Sequence, residues 1–223
     1  MTSVLVVDDQ VLIRAGLAAL IAAAPGLTVV GEASDGREAV ALSAEHRPDV
    51  VLMDIRMPDM DGVTATAHLL GPESAHHPRV LILTTFDLDE YVYAALSAGA
   101  SGFLLKDTPP HRLIAALTTV AEGDHLLTPS ITRRLIAAFA SRSPDPSPPA
   151  PALDSLTGRE NEVLRLVAHG LANLDIAQRL HVTEATVKTH LNRTMTKLGL
   201  NSRAQAVVVA YESGLVVPGD GVL

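Results

Sequence analysis

The sequence contains no cysteine, and only 3% of its residues are aromatic. Without cysteine there is no disulfide framework, no thiolate metal site and no cysteine nucleophile. No apolar run approaches the roughly 20 residues that span a bilayer. The first ten residues, MTSVLVVDDQ, lack the basic stretch that precedes the apolar core of a signal peptide. These absences predict a cytoplasmic protein that does not enter a membrane.

The charge is unevenly distributed along the 223 residues, of which 48% are hydrophobic and 19% charged, as in globular proteins. The formal net charge of −8 at first argues against nucleic-acid binding. However, residues 1–151 carry ten Lys and Arg against eighteen Asp and Glu, whereas residues 152–223 carry seven of each. Residues 159–203 hold seven basic side chains and four acidic ones. The basic centre of this second part could therefore bind DNA.

A proline-rich segment separates two parts of different pattern. Ser143–Pro151 has five prolines in nine residues, which excludes a helix interior or a central strand and favours an extended chain. We interpret it as an interdomain linker; the alternative is a long surface loop within one domain. The predicted domains are residues 1–122 and 156–217, joined by a linker region at 123–155 that includes a helix near Ser130–Ala140.

Before the linker, short apolar runs alternate with amphipathic stretches, which indicates a buried parallel sheet with helices on both faces. The predicted strands are Val4–Val7, Thr28–Val30, Val50–Met53, Val80–Leu83 and Gly102–Leu105. Helices are expected near residues 10–24, 35–46, 61–71, 87–99 and 109–122. After the linker we expect no strand, but helices near 157–170, 173–180, 184–198 and 202–213. The prediction is an α/β domain with a flavodoxin-like, five-stranded parallel sheet, followed by an all-α domain.

Polar residues stand at the ends of four predicted strands. Asp8 and Asp9 follow the first strand and Asp54 the third, while Thr84 and Lys106 follow the fourth and fifth. These strands are neighbours in a flavodoxin-like order, and ligands of such sheets bind at the carboxyl ends of the strands. Three crowded carboxylates need a cation, and oxygen ligands favour Mg²⁺, so we predict Asp8, Asp9 and Asp54 as metal ligands.

The same pocket predicts a chemistry for Asp54. Its carboxylate could attack phosphorus as a nucleophile, with Lys106 pairing with the phosphoryl oxygens and the Thr84 hydroxyl donating a hydrogen bond to them. Taken singly, an Asp at a strand end is usually a cap or turn residue, and Thr84 and Lys106 have equally ordinary explanations. The joint pattern at four strand ends favours the site. Asp59 and Asp61 are assigned instead to a turn and to the cap of the next helix.

The first domain resembles the receiver domain of two-component response regulators. The motifs that carry the resemblance are VLVVDDQ at 4–10, VLMDIRMPDMDG at 51–62, LTTFD at 83–87 and SGFLLKD at 101–107. It implies that Asp54 accepts a phosphoryl group from a phosphohistidine of a sensor histidine kinase, and that Arg56 supplies its backbone carbonyl to the metal. It also implies that Thr84 and Phe103 rearrange on phosphorylation, which would change the surface formed by the fourth helix, fifth strand and fifth helix.

The segment Asn173–Leu198 is typical of a helix-turn-helix. The turn is expected at His181–Thr183, with Thr183 capping the second helix; histidine tolerates the positive φ of such a turn better than most residues. A period of 100° per residue puts Val187, Leu191, Thr194 and Leu198 on the buried side. Thr189 and Asn192 lie opposite this stripe, with Lys188 and Arg193 on the flanks. We expect Lys188, Thr189 and Asn192 to reach base edges, and Arg193 and Lys197 to reach phosphates. The alternative is a solvated helix face in an interaction module.

The second domain resembles the LuxR-type DNA-binding domain of NarL/FixJ-type regulators. The matching stretches are LTGRENEVLRLVAHGLAN at 156–173, DIAQRLHVTEATVKTHLNRTMTKLGL at 175–200 and SRAQAVVVAYESGLV at 202–216. Arg159 and Glu160 are expected to be structural ion-pair or cap residues. The resemblance implies double-stranded DNA as a partner and a homodimer in the active state. The apolar run Ala206–Tyr211 suits a dimer face and the packing of a small core equally well.

We therefore predict a phosphorylation-controlled transcription factor, not an enzyme. One alternative is a constitutive DNA-binding factor whose receiver acts only as a dimerisation scaffold. The other is a hydrolase that uses Asp54 as nucleophile, against which no second catalytic acid or base is evident near Asp54.

Overall fold

The computed structural model describes residues 1–85, 89–123 and 153–217. The chain divides into two compact units, Met1–Leu126 and Leu127–Leu223. The predicted helix at Ser130–Ala140, the proline-rich linker and Asp87 lie outside the described residues. None of the helices in the described ranges is long and apolar enough to cross a membrane.

The first unit contains a parallel sheet of five strands in the order β2-β1-β3-β4-β5, with helices between successive strands. This is the predicted α/β fold. The strands are β1 (Thr2–Val7), β2 (Leu27–Ala33), β3 (Val50–Met53), β4 (Arg79–Thr84) and β5 (Gly102–Leu105). The helices are α1 (Val11–Ala22), α2 (Gly36–His46), α3 (Gly62–Leu70), α4 (Asp89–Ser97) and α5 (Pro110–Ala121).

The central strands are unbroken apolar runs because both of their faces are covered. Every residue of β3 is buried, and β1 and β4 are buried over their last four and five residues. One face of the sheet packs against α1 and α5, where Ile21, Leu113 and Leu117 are at most 3% exposed. Since a strand buried on both sides is an apolar run, the polar residue that follows the run marks the carboxyl end of the strand.

Short polar side chains begin α2 and α3 beside this edge of the sheet. The Asp35 carboxylate accepts hydrogen bonds from the backbone N–H groups of Arg37 and Glu38. Asp61 accepts one from Thr64 at 2.7 Å, which confirms its predicted cap role. Asp59 adopts a positive φ of 61° in the preceding turn, a conformation that aspartate adopts more readily than most residues.

The second unit is helical over residues 153–217, as predicted. A single 3₁₀ turn, Leu153–Ser155, precedes α6 (Gly158–Ala168), α7 (Asn173–Leu180), α8 (Glu184–Leu198) and α9 (Arg203–Glu212). The bounds of α7 and α8 are those expected from the sequence. A capping box begins α6, since Thr157 and Glu160 each bond the other's backbone N–H, and two exposed N–H groups are satisfied reciprocally.

Candidate functional site

The acidic pocket lies at the carboxyl edge of the sheet, and the strand register explains why its residues meet. The backbone N–H of Asp54 donates to the carbonyl of Val7 at 2.9 Å, which aligns the end of β3 with the end of β1. Likewise the N–H of Lys106 donates to the carbonyl of Thr84 at 2.9 Å. Because β1, β3, β4 and β5 are consecutive neighbours, the polar residues at their ends converge as expected.

A buried ion-pair network joins three of these residues. The Lys106 Nζ lies 2.7 Å from Oδ2 of Asp54 and 2.6 Å from Oδ2 of Asp8. All three side chains are at most 8% exposed. One lysine therefore neutralises part of the charge of two carboxylates in a site from which most water is excluded.

Burial and the ion pairs of this network act on its pKa values in opposite directions, and the balance differs between Asp54 and Lys106. Burial raises the pKa of the Asp54 carboxyl, and the charge of Asp8 adds to the rise, although Lys106 and the Ile55 N–H act against it. Burial acts to lower the pKa of Lys106, but its bonds to Asp54 and Asp8 outweigh that effect, so this pKa is raised. The lysine is therefore held as a cation, while the Asp54 carboxylate is less stabilised than a hydrated one.

Backbone donors orient both buried carboxylates. The N–H of Ile55 donates to Asp54 Oδ1 at 2.7 Å, and the N–H of Gln10 donates to Asp8 Oδ1 at 2.9 Å. The Arg14 guanidinium donates to the carbonyl of Asp8 at 2.6 Å. Each carboxylate thus has one oxygen held by the backbone and the other directed at Lys106, so their orientation is determined before any ligand enters.

The predicted metal ligands meet the geometric requirement for a shared cation. Asp8, Asp9 and Asp54 each offer one carboxylate oxygen, and these atoms lie within 4.8 Å of one another. The Oδ2 of Asp8 is buried and, apart from the Lys106 ion pair, has no hydrogen-bond donor among the described residues. This buried anionic oxygen can still coordinate a cation. Together with the other carboxylate oxygens it suits a hard divalent cation such as Mg²⁺.

The remaining residues of the first unit that the sequence singled out occupy distinct positions. Thr84 ends β4 and is fully buried. Phe103, on β5, is 2% exposed. The Arg56 side chain is exposed, and its guanidinium carbon lies 5.2 Å from the ring centre of Tyr91 on α4. Neither Tyr91 nor Arg14 was predicted as part of the site, because their proximity comes from the packing of helices around the pocket.

Gly62 is a further residue of the site. From the sequence it was assigned only to the turn before α3. A Cβ at this position would lie 1.9 Å from the carbonyl oxygen of Asp54, so only glycine fits. Its N–H donates to the carbonyl of Ile55 at 2.8 Å. The start of α3 is thereby packed directly against the backbone of the residue that bears the central carboxylate. The ending of the motif VLMDIRMPDMDG is the signal that could have identified this contact.

The second candidate site is the helix-turn-helix formed by α7 and α8. His181 ends α7 with φ of 53°, and the Thr183 hydroxyl accepts a hydrogen bond from the N–H of Thr186, as the sequence predicted. The predicted stripe of α8 is the buried one, with Val187, Leu191, Thr194 and Leu198 at most 9% exposed. Opposite it, Thr189, Asn192 and Arg193 are exposed and Lys188 is half-buried.

Lys197, the last cation of α8, is engaged within the domain. Its Nζ lies 2.7 Å from Oε2 of the buried Glu160 and 3.1 Å from the carbonyl of Ser155. The hydrogen bond from Lys197 and that from the Thr157 N–H lower the pKa of Glu160 to about 2. The expected structural role of Glu160 is thus confirmed. A DNA phosphate would have to compete with this ion pair for Lys197.

The last helix, α9, is almost completely buried within the chain itself. The run Ala206–Tyr211 is at most 7% exposed. Arg203 donates to Oδ1 of Asn173 and to the carbonyl of Leu171, which ties the start of α9 to the first residue of α7 and to the segment before it. The burial of this run agrees with the packing interpretation, and its role as a dimer face stays a prediction.

Both halves of the chain match known protein families. Residues 4–118 match the response regulator receiver domain, and residues 154–210 match the luxR family of bacterial regulatory proteins. The transcriptional regulatory protein YxjL of Bacillus subtilis is 41% identical over 209 residues, which is 94% of each chain. The nitrate/nitrite response regulator protein NarL of Escherichia coli K12 is 37% identical over 211 residues, covering 94% of this chain and 95% of NarL.

A solved structure gives the same result at the level of the fold. The crystal structure of response regulator ChrA, from a heme-sensing two-component system, matches 96% of this chain and 98% of its own. The identity is 36% and the TM-score is 0.52. Sequence relatives and this structure therefore agree on both halves of the chain and on their order.

Proposed function

The chain belongs to the response regulators that join a receiver domain to a luxR-family DNA-binding domain, and from this premise we propose that phosphorylation of Asp54 controls its binding to promoter DNA. The phosphodonor is the phosphohistidine of a sensor histidine kinase, and the partner of the active form is double-stranded DNA. The observation that carries the proposal is the buried network in which Lys106 contacts Asp54 and Asp8 at 2.7 and 2.6 Å.

Asp8, Asp9, Asp54 and the backbone carbonyl of Arg56 would hold Mg²⁺ in this pocket. The clustering of three carboxylate oxygens within 4.8 Å supports this assignment. When bound, the ion offsets the carboxylate charges and those that develop on the phosphoryl oxygens. This would make Asp54 accessible to an anionic donor that the pocket's own negative charge otherwise repels.

The chain's own residues account for the phosphoryl transfer. A carboxylate oxygen of Asp54 forms the new bond to phosphorus while the bond from phosphorus to the donor imidazole breaks, and the imidazole leaves with the bonding electron pair. The N–H of Ile55 keeps the carboxylate oriented. Lys106 pairs with the phosphoryl oxygens, and the Thr84 hydroxyl donates to one of them. Both are already placed at the same edge of the sheet.

The signal would then leave the pocket through Thr84 and Phe103. Thr84 is drawn to the phosphoryl group, and the position of Phe103 on β5 adjusts to it, which shifts the population of the α4-β5-α5 surface. The burial of both side chains supports this route, because a packed core changes between discrete arrangements. We propose that the shift promotes dimerisation and hence binding to paired half-sites.

In the DNA-binding domain, α8 is the proposed recognition helix. Lys188, Thr189 and Asn192 are proposed to contact base edges, and Arg193 to contact a phosphate. The exposure of Thr189, Asn192 and Arg193 opposite the buried stripe supports this orientation. Lys197 is the least suited of the predicted contacts, because Glu160 holds it at 2.7 Å.

Acetyl phosphate with Mg²⁺ tests the phosphoacceptor. We expect the intact protein to gain one phosphate by mass, and D54N to gain none because an amide is not a nucleophile for phosphorus. D59N is the matched control: Asp59 is exposed, and asparagine tolerates its positive φ. A D54N protein that is still phosphorylated, or a wild type that is not, would refute the assignment.

Binding to promoter fragments tests the switch and the contacts. Phosphorylated wild type should bind more tightly than D54N, and K188A and N192A should lose sequence preference. If phosphorylation leaves DNA affinity unchanged, the receiver is a constitutive scaffold. If both helix variants keep the wild-type sequence preference, the base-contact assignment is wrong.

A further inference from the structure

We propose that Tyr91 of α4 is a positioning residue for Arg56, and that this contact couples Mg²⁺ binding in the acidic pocket to the position of α4. The inference rests on the proposed function, because it assumes that the Arg56 carbonyl is a metal ligand. It adds a connection from the pocket to α4 that does not pass through Thr84 and Phe103.

The contact joins the segment after β3 to α4 through two side chains at the protein surface. The Arg56 guanidinium carbon lies 5.2 Å from the Tyr91 ring centre, within the range of a cation–π interaction. Its Nη2 also donates a long hydrogen bond of 3.4 Å to the Tyr91 hydroxyl. Arg56 therefore uses both the face and the hydroxyl of the ring.

The pocket end of this connection is held rigidly. Asp54 is bound by Lys106 and by the Ile55 N–H, and Gly62 packs against its carbonyl with no room for a Cβ. Arg56 follows two residues later, and its side chain is exposed. A shift of the Arg56 backbone, such as one needed to aim its carbonyl at a cation, therefore moves the guanidinium relative to α4.

Among the described side chains of α4, the buried ones, Tyr93, Ala95 and Leu96, lie in the middle and later part of the helix. Ala95 and Leu96 are fully buried, whereas Tyr91 near the start of the helix is half-buried. The Arg56 contact is thus a restraint on α4 close to its N-terminus, at Tyr91. A displacement of either element is transmitted to the other through this pair of side chains.

The coupling between the two ends of this connection is reciprocal. If the arrangement of α4 that keeps the contact also favours the Arg56 carbonyl position that binds Mg²⁺, then each promotes the other by the same factor. A partly exposed cation–π pair changes an equilibrium by about two- to fivefold. The coupling is therefore a modest bias on the pocket.

The test compares Y91L with Y91F in the full chain. Leucine removes the ring and the hydroxyl, whereas phenylalanine keeps the ring, and neither alters the charge of the pocket. We expect Y91L to bind Mg²⁺ about two- to fivefold more weakly, with faster amide exchange at the start of α4, and Y91F to stay within about twofold of wild type. Titration of amide chemical shifts with MgCl₂ and hydrogen exchange measure the two effects.

A double-mutant cycle with R56Q tests whether Tyr91 acts on Mg²⁺ binding through Arg56. In the R56Q background, Y91L should cause no further loss of Mg²⁺ affinity. R47Q is the charge control, because Arg47 is also exposed but ends α2, at the opposite edge of the sheet. Equal Mg²⁺ affinity of Y91L and wild type, or an undiminished effect of Y91L in R56Q, overturns the inference. A wild type that binds no Mg²⁺ would instead refute the proposed metal site.

Discussion

The acidic pocket and α8, the proposed recognition helix, differ in how far their candidate functional residues are exposed. In the pocket, Asp8, Asp54 and Lys106 are at most 8% exposed and contact one another directly. On α8, by contrast, Thr189, Asn192 and Arg193 are exposed. The pocket is thus part of the receiver core, whereas the proposed DNA-contacting face of α8 is a surface supported from beneath by Val187 and Leu191.

Because of this difference, the effect of a substitution on folding stability and its effect on function should be linked in the pocket and separate on α8. In the pocket, folding stability and the proposed phosphorylation chemistry depend on the same atoms, so one substitution should affect both. On α8, folding stability and DNA recognition depend on opposite faces of the helix, so substitutions at neighbouring residues can affect one property without the other. Substitutions in both regions test that distinction, in order from the largest expected effect to the smallest.

Leu191 and Asn192 are adjacent on α8 but lie on its two faces. L191A should destabilise the DNA-binding domain by about 2–5 kcal/mol, because Leu191 is 4% exposed and alanine leaves a cavity. N192A should change stability by less than about 0.5 kcal/mol, yet lower discrimination at one base pair by about 1–3 kcal/mol. Scanning calorimetry and binding to promoter variants measure the two quantities. Similar stability losses in both variants would contradict the separation of faces.

A substitution at Gly62 should lower both the stability of the receiver domain and the rate of Asp54 phosphorylation. G62A should destabilise the receiver by about 1–3 kcal/mol, since its Cβ would lie 1.9 Å from the Asp54 carbonyl oxygen and the backbone must move. A displacement of about 1 Å at Asp54 should slow phosphorylation by acetyl phosphate on the order of 100-fold. The matched control is G16A in α1, where a Cβ meets nothing within 4 Å and alanine suits a helix better. A fully active, fully stable G62A would show that the pocket is less rigid than inferred.

The smallest expected effect is the pH dependence of folding stability that Glu160 contributes. The sign of this dependence follows from the pKa of Glu160, which is lowered to about 2 from an ordinary 4.5. The folded state favours the carboxylate, so the stabilisation is complete above about pH 4.5 and is lost as the pH falls toward 2. The stability difference between wild type and E160Q should therefore be largest at neutral pH and shrink below pH 4.5. Calorimetry of both proteins across this range measures it. A difference that does not vary with pH would mean that Lys197 does not stabilise the charged form.

The elements with the clearest patterns were predicted most accurately. The bounds of β3, β5, α7 and α8 are those expected, because each is delimited by a sharp change from apolar to polar residues or by a cap such as Thr183. The predicted run at Thr28–Val30 was too short: β2 extends to Ala33, through Gly31 and Glu32. Pairing with β1 continues there, and partner hydrogen bonds outweigh the low strand propensity of those residues.

Long-range contacts account for what the sequence pattern missed. Lys197 was predicted to reach a DNA phosphate as a cation of α8, and the pattern gave no sign of its ion pair with Glu160, 37 residues earlier in the chain. Tyr91 and Arg56 are 35 residues apart, and no local period relates them. Such pairs depend on how helices pack, and single-chain periodicity contains no information about a helix's neighbours.

The sequence alone predicted that Asp8, Asp9, Asp54, Thr84 and Lys106 lie at one edge of the sheet, since the carboxyl ends of neighbouring parallel strands share that edge. The same holds for the buried stripe of α8, because helical period and polarity are local properties. Only the tertiary structure decided which carboxylate oxygens share Lys106, that Gly62 has no space for a side chain, and that Lys197 is paired. These depend on distances of a few ångströms between separate elements, and those distances are set by packing rather than by the order of residues.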